Sequence, residues 1–114
     1  VECQMASAAE VGRNLEALSE MIVKDLGAAL TVITPPAVDP TRITTFFRDL
    51  PLRWHAAAVD EVADVVRRLD STCVDVHAAM CEVGVGRLVE ADGVHPSRPG
   101  QELILSSILW QLTT

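Results

Sequence analysis

The chain has 114 residues, of which 49% are hydrophobic and 22% are charged, and its formal net charge is −7. This length fits one small domain, and the composition is that of a globular protein with a core. The negative charge argues against nucleic acid as a partner, because the neutralisation of phosphates requires clustered Lys and Arg. No apolar run reaches the roughly 18 residues that a membrane span needs, and no signal peptide opens the chain. We therefore expect a soluble protein without a membrane span, and a cytoplasmic location is favoured.

The cysteines and glycines give no sign of a cofactor. Cys3, Cys73 and Cys81 form an odd, widely spaced set, which does not indicate a disulfide framework. A Cys73–Cys81 bridge is the less favoured arrangement. No Cys-x-x-Cys motif or His/Cys cluster indicates a metal site, and Gly84-x-Gly86 lacks the third glycine of a dinucleotide loop. The sequence therefore predicts no metal and no organic cofactor.

The first element is an amphipathic helix. Its apolar residues recur at three- and four-residue intervals, at Val11, Leu15, Leu18, Ile22 and Leu26. Ser7 followed by Glu10 indicates a capping box, and Gly27 indicates the end of the helix. Glu20 and Lys24 have the spacing of an ion pair across one turn. We expect this helix to cover the core without a functional role.

Two short β-branched runs indicate parallel strands. Leu30–Thr34 lies between a glycine and two prolines, which is the pattern of a buried parallel strand, and Thr72–Val76 is a similar run. Ligands of open α/β sheets bind beyond the carboxyl ends of the strands, so the loop from Pro35 to Pro51 begins where a site forms. Phe46 and Phe47 in this loop either line an acyl pocket or fix the loop to the body, and the second interpretation is favoured.

Pro51 is predicted to open a second helix between the strands. Its predicted buried face consists of His55, Val59, Val62, Val66 and Leu69, with Asp64 and Arg68 as a surface pair. Trp54 and His55 are assigned to packing or capping. Asp75 and His77 form a possible acid–base pair on one face of the extended chain at the end of the second strand.

The strongest functional signal is Asp92-Gly-Val-His95-Pro96. In a tight turn, this spacing lets the carboxylate of Asp92 accept a hydrogen bond from one imidazole nitrogen of His95. The other nitrogen then points outward as a general base. Ser97 is the predicted cap of the helix that follows, whose apolar residues are Leu103, Ile104, Ile108, Leu109 and Leu112. The alternative is a helix-start turn whose Asp92 and His95 are merely solvated.

The segment Asp92–Ser97, followed by Pro99-Gly100 and an apolar helix, resembles the last conserved block of the SGNH/GDSL hydrolases. Leu30–Pro36 is similar to the fourth parallel strand of that family and the loop after it, and Thr72–Val76 to the fifth. The Gly-Asp-Ser nucleophile block, the oxyanion-hole glycine block and the Gly-x-Asn-Asp block are absent. The resemblance implies the flavodoxin-like three-layer α/β/α fold, of which residues 1–114 would form the carboxy-terminal portion of a single hydrolase domain.

The same resemblance implies a serine hydrolase that acts on ester-linked acyl groups of a small-molecule substrate. His95 would accept the proton of a serine nucleophile, and Asp92 would hold the imidazole tautomer. We expect the nucleophile on a missing segment or on a second chain that carries the amino-terminal blocks, and a homo-oligomer is the other way to complete the sheet. The chain alone is then expected to be inactive. The alternative function is that of a non-catalytic remnant, which acts as a structural or protein-interaction module.

Overall fold

The computed structural model describes residues 6–51 and 55–114, and these form a mixed α/β structure. Within these described residues, two strands and five α-helices follow one another. They are α1 (Ala8–Glu20), β1 (Thr31–Ile33), α2 (Pro40–Phe46), α3 (Ala58–Arg67), β2 (Thr72–Val74), α4 (Val76–Val83) and α5 (Arg98–Thr113). A π-helical turn, Met21–Asp25, extends α1, and a 3-10 turn, Val85–Arg87, follows α4.

β1 and β2 pair in parallel, in the register Thr31 to Thr72, Val32 to Cys73 and Ile33 to Val74. The predicted parallel pairing is confirmed, although both strands are shorter than the predicted runs. The prediction that the first strand is buried is wrong, because Thr31 and Ile33 are exposed. Within the described residues the sheet has only these two strands, so the outer edge of each has no β-partner there.

The predicted start and end of the first helix are confirmed. Ser7 accepts a hydrogen bond from the backbone N–H of Glu10 at 3.1 Å, which caps α1. The turn that extends α1 ends shortly before Gly27, which adopts the left-handed conformation with φ +64°. Glu20 and Lys24 form the predicted exposed ion pair at 3.2 Å.

Two helices occupy segments that were predicted as loop or strand. α2 lies within the predicted Pro35–Pro51 loop, where the Asp39 side chain caps it by accepting from the N–H of Arg42 at 3.2 Å. α4 begins at Val76, because the Asp75 side chain accepts from the N–H of Ala78 at 3.0 Å and so starts a helix. The predicted strand Thr72–Val76 is therefore wrong beyond Val74.

The second predicted helix is α3, which begins at Ala58. Residues 52–54 lie outside the described part. They include Trp54 and follow Pro51, where the helix was predicted to start. Val66 is buried as predicted, together with Ala63 and Val65. Three other predicted core positions are half-buried: Val59, Val62 and Leu69. The last, His55, is exposed. Asp64 pairs with Arg67 at 2.7 Å, so the predicted Asp64–Arg68 pair is wrong.

The core is small and lies beside α4 and α5. Its buried cluster consists of Ala37, Met80, Leu88 and Val89, with Val85, Leu103 and Ile104 packed against it. Several large apolar side chains of α5 remain exposed: Leu105, Leu109, Trp110 and Leu112. The Cα radius of gyration is 15.4 Å, whereas a compact domain of this length has about 13 Å.

None of the helices in the described ranges, 6–51 and 55–114, combines the length and the apolar character that crossing a membrane requires.

Candidate acid–base site

Residues 88–97 form a turn whose two sides are joined by backbone hydrogen bonds. Val89 and Pro96 form an antiparallel bridge. The N–H of Glu90 donates to the carbonyl of His95 at 2.8 Å, and the N–H of Ser97 donates to the carbonyl of Leu88 at 2.9 Å. This ladder fixes the backbone on both sides of the Asp92–His95 motif.

Gly93 lies at the contact between this turn and the start of α2. Its φ is +79°, and its carbonyl accepts from the N–H of Asp39 at 2.9 Å. A Cβ at this position would lie 2.7 Å from the carbonyl oxygen of Asp39, so the close approach requires glycine. Arg42 Nη1 adds a second link by donating to the carbonyl of Val89 at 3.2 Å. The turn is therefore held by the segment that follows β1.

The side chains of Asp92 and His95 are hydrogen-bonded, as the sequence predicts. Asp92 Oδ2 lies 2.5 Å from His95 Nδ1, and Asp92 Oδ1 accepts from the N–H groups of Val94 at 2.9 Å and His95 at 3.1 Å. The Asp92 side chain is 15% exposed and the imidazole 77% exposed.

The electrostatics of this pair define its chemistry. The hydrogen bond from His95, with those from the two backbone N–H groups, lowers the pKa of Asp92 to about 2. Asp92 is therefore ionised at neutral pH and accepts the Nδ1–H of His95. In neutral imidazole the second nitrogen, Nε2, then carries a lone pair, and the exposed ring leaves it accessible to a proton donor. The arrangement is that of an oriented general base.

A second charged cluster lies where the two strands end. Thr34 follows β1 and Asp75 follows β2. Arg67 binds Asp75 with two hydrogen bonds, from Nε to Oδ2 at 2.6 Å and from Nη2 to Oδ1 at 3.1 Å. The hydrogen bonds from Arg67 lower the pKa of Asp75, and those from Arg67 to Asp75 raise the pKa of Arg67.

His77 belongs to the same cluster and is 7% exposed. Its backbone N–H donates to Thr34 Oγ1 at 3.0 Å. Of its two ring nitrogens, Nδ1 lies 3.1 Å from Arg67 Nη2, and Nε2 lies 2.8 Å from Asp60 Oδ1. Asp75 and His77 are therefore neighbours of one guanidinium and not two side chains on one face of a strand, because α4 begins between them. The partners are distant in sequence, and no spacing in the chain indicates them.

The remaining predicted candidates do not join the Asp92–His95 pair through any contact in the described residues. Phe46 and Phe47 contact each other edge to face, with ring centroids 4.9 Å apart. Ser97 accepts from the N–H of Gly100 at 3.3 Å and donates to the carbonyl of Arg87 at 2.9 Å, so it acts as the predicted helix cap. The cysteines of the described part, Cys73 and Cys81, are free thiols, and that part contains no group of three or more side chains placed to hold a metal ion.

Comparisons of the chain with protein-family models, with curated proteins and with solved structures give no match. The grounds for a function are therefore the α/β fold, the charge and exposure of the described side chains, and the geometry of the Asp92–His95 turn.

Proposed function

We propose that this chain supplies the acid and base half of a serine hydrolase of the SGNH/GDSL class, which acts on ester-linked acyl groups. The observation that supports this proposal is the Asp92–His95 hydrogen bond in a turn closed by Gly93, with the imidazole open to solvent. A carboxylate on Nδ1 and a free Nε2 are the two features that a triad histidine needs.

The proposed reaction follows from those atoms. As a serine hydroxyl attacks the ester carbonyl, its proton passes to His95 Nε2, and the ionised Asp92 stabilises the imidazolium that forms. The bond from the carbonyl carbon to the alcohol oxygen then breaks, and His95 gives the proton to that departing oxygen. The acyl group remains on the serine. Water hydrolyses that intermediate by the same route. The proposed chemistry requires neither a metal nor an organic cofactor.

The nucleophile is proposed to come from outside these 114 residues, on another segment or on a second chain. No serine of the sequence lies in a Gly-Asp-Ser motif, and Ser97 is engaged as a cap. A completed three-layer α/β/α domain would also cover the exposed face of β1 and the exposed apolar residues of α5, such as Trp110, which is 71% exposed. Burial of each such side chain stabilises a protein by about 1.5–3 kcal/mol.

The second candidate is a non-catalytic structural or interaction module. The same exposed residues of α5 favour it, because exposed large apolar side chains also serve assembly without chemistry. The two candidates differ in one respect: only the hydrolase requires the Asp92–His95 pair for its activity.

The test uses the tagged chain isolated from its native cells together with whatever chain accompanies it. Intact-mass analysis identifies a second chain that carries Gly-Asp-Ser, and p-nitrophenyl butyrate measures turnover. We expect His95→Ala to lower turnover by about 10³- to 10⁶-fold, as deletions of triad residues do. The matched control is His55→Ala, since His55 is also an exposed histidine with a carboxylate partner, Glu61 at 3.3 Å. Turnover that survives in His95→Ala would exclude the hydrolase proposal.

A further inference from the structure

A pocket of about 310 Å³ lies between α1 and α3, which pack against each other. Sites for small molecules have volumes of roughly 300–1,000 Å³, so this pocket is large enough for a small ligand. Two arginine side chains line it, Arg13 from α1 and Arg68 from the end of α3. We propose that this pocket binds a small monocarboxylate, whose apolar chain lies between the two helices and whose carboxylate is held by Arg13 and Arg68. The pocket is separate from the Asp92–His95 turn, and the proposal does not depend on the function proposed above.

The inner surface of the pocket is apolar, because the two helices lie close together there. A Cβ at Gly12 would lie 3.1 Å from Val65 Cγ1, so the glycine permits this approach. Val65 is buried and Leu69 is half-buried, and both line the pocket. On the α1 side the small side chains of Ala8 and Ala9 leave the space open. Such a surface favours an alkyl chain, which loses contact with water when it binds.

The two arginines of the pocket are available to bind an anion. Within residues 6–51 and 55–114, neither guanidinium forms a hydrogen bond or an ion pair. The preceding arginine, Arg67, is different, because it binds Asp75 at 2.6 Å and Asp64 at 2.7 Å. Since Asp64 pairs with Arg67, the charge of Arg68 is left for a ligand.

The charge of the pocket favours a ligand with one negative charge. Glu16 also lines the pocket, so two guanidinium groups and one carboxylate leave one net positive charge. The amino end of α1 and the carboxyl end of α3 both border the pocket, and their helix dipoles have opposite signs there, so the side chains determine its charge. A carboxylate matches the planar guanidinium with two parallel hydrogen bonds and brings a single charge. A phosphate monoester carries nearly two negative charges at neutral pH and is a poorer match.

The experiment titrates the ¹⁵N-labelled full chain with sodium hexanoate at pH 7.5 and follows the amide resonances of Gly12 and Leu69. We expect both resonances to shift and to saturate. Acetate has the same charge without the chain and should bind at least about tenfold more weakly, because each buried CH₂ contributes to affinity. 1-Hexanol has the chain without the charge and should also bind at least about tenfold more weakly, since it forms no charge-assisted hydrogen bonds. Shifts that do not saturate, acetate that binds as tightly as hexanoate, or hexyl phosphate that binds more tightly would overturn the proposal.

Arginine variants test which side chains hold the carboxylate. Arg13→Gln and Arg68→Gln should each raise the Kd for hexanoate about three- to tenfold, as expected for charge-assisted hydrogen bonds at a partly exposed site. The matched control is Arg48→Gln, which removes another exposed arginine whose side chain donates to the carbonyl of Thr45 at 3.1 Å. This control should leave the Kd unchanged. Equal effects of the three variants would indicate attraction by overall charge and would overturn the proposal.

A further variant fills the pocket without a change of charge. Ala9 is exposed, so Ala9→Leu should fold, which circular dichroism checks. Its larger side chain would occupy the space between the helices and should raise the Kd at least about tenfold, because the ligand would then be overpacked. An unchanged Kd would show that hexanoate binds elsewhere and would overturn the proposal. Since the titration needs neither a second chain nor turnover, its outcome is separate from the test of His95.

Discussion

Gly93→Ala tests whether the Asp92–His95 turn depends on its close contact with α2. At a φ of +79°, an alanine pays the left-handed backbone penalty, about 1–2 kcal/mol. Its Cβ would also lie 2.7 Å from the carbonyl oxygen of Asp39 and 2.9 Å from the backbone nitrogen of Ile43. Backbone atoms cannot rotate away as a flexible side chain does, and overpacking of this kind costs about 1–3 kcal/mol.

The two costs together predict a loss of roughly 2–5 kcal/mol in the free energy of unfolding. That is a large part of the about 5–15 kcal/mol that stabilises a typical domain. Since a domain of this length shifts its Tm by about 4 °C per kcal/mol, the expected decrease is roughly 8–20 °C. The assay is urea and thermal unfolding of the chain, followed by circular dichroism.

Gly27→Ala is the matched control for this prediction. Gly27 also has a left-handed φ, +64°, but a Cβ there would meet nothing within 4 Å. It should therefore cost only the backbone term, roughly 1–2 kcal/mol. Equal destabilisation by Gly93→Ala and Gly27→Ala would show that the contact between Gly93 and α2 carries no steric constraint, and would refute the reasoning.

Two further predictions concern charged side chains. Folding lowers the pKa of Asp92 from 3.8 to about 2, so its contribution to stability is present above about pH 4 and is lost as the pH falls through 2. Asp92→Asn should therefore flatten the curve of stability against pH between pH 4 and pH 2. An unchanged curve would contradict this prediction. Asp75→Asn should lower the free energy of unfolding in urea by about 1.5–3 kcal/mol, because it breaks the paired hydrogen bonds from Arg67. The control, Glu20→Gln, removes an exposed ion pair and should lower it by less than about 1 kcal/mol. Equal losses in the two variants would contradict this prediction.

What the sequence reveals about this fold is mostly local. Ser7 and Ser97 identify helix starts because a cap and its N–H donor are three residues apart. The Asp92–His95 hydrogen bond spans the same separation, so the spacing and the glycine between them were enough to predict it. The parallel pairing of the two strands could also be predicted, because a parallel pair needs a long crossover connection and the chain has one between them.

The features that sequence reasoning missed depend on competing local signals or on distant partners. Asp39-Pro40 is a sound helix-start signal, yet the surrounding turn residues favoured a loop. Asp75 interrupts an alternating apolar run that favoured a longer strand, because its side chain caps α4 instead. The contact from Thr34 to Asp75 spans 41 residues, so the cluster around Arg67 leaves no periodic trace in the chain.

The Asp92–His95 turn also carries an implication for the order of folding. Its side-chain hydrogen bond spans three residues, whereas the link from Arg42 to the carbonyl of Val89 spans 47. Short loops close faster and with less loss of entropy than long ones, so the acid–base pair can form before its contact with α2 exists. An isolated peptide of this turn should therefore form the Asp92–His95 hydrogen bond transiently. In the folded chain, the contacts with α2, which lies between the two strands, hold the turn in that conformation. The chemistry of the pair is encoded in a few neighbouring residues, but its location in the molecule is acquired late.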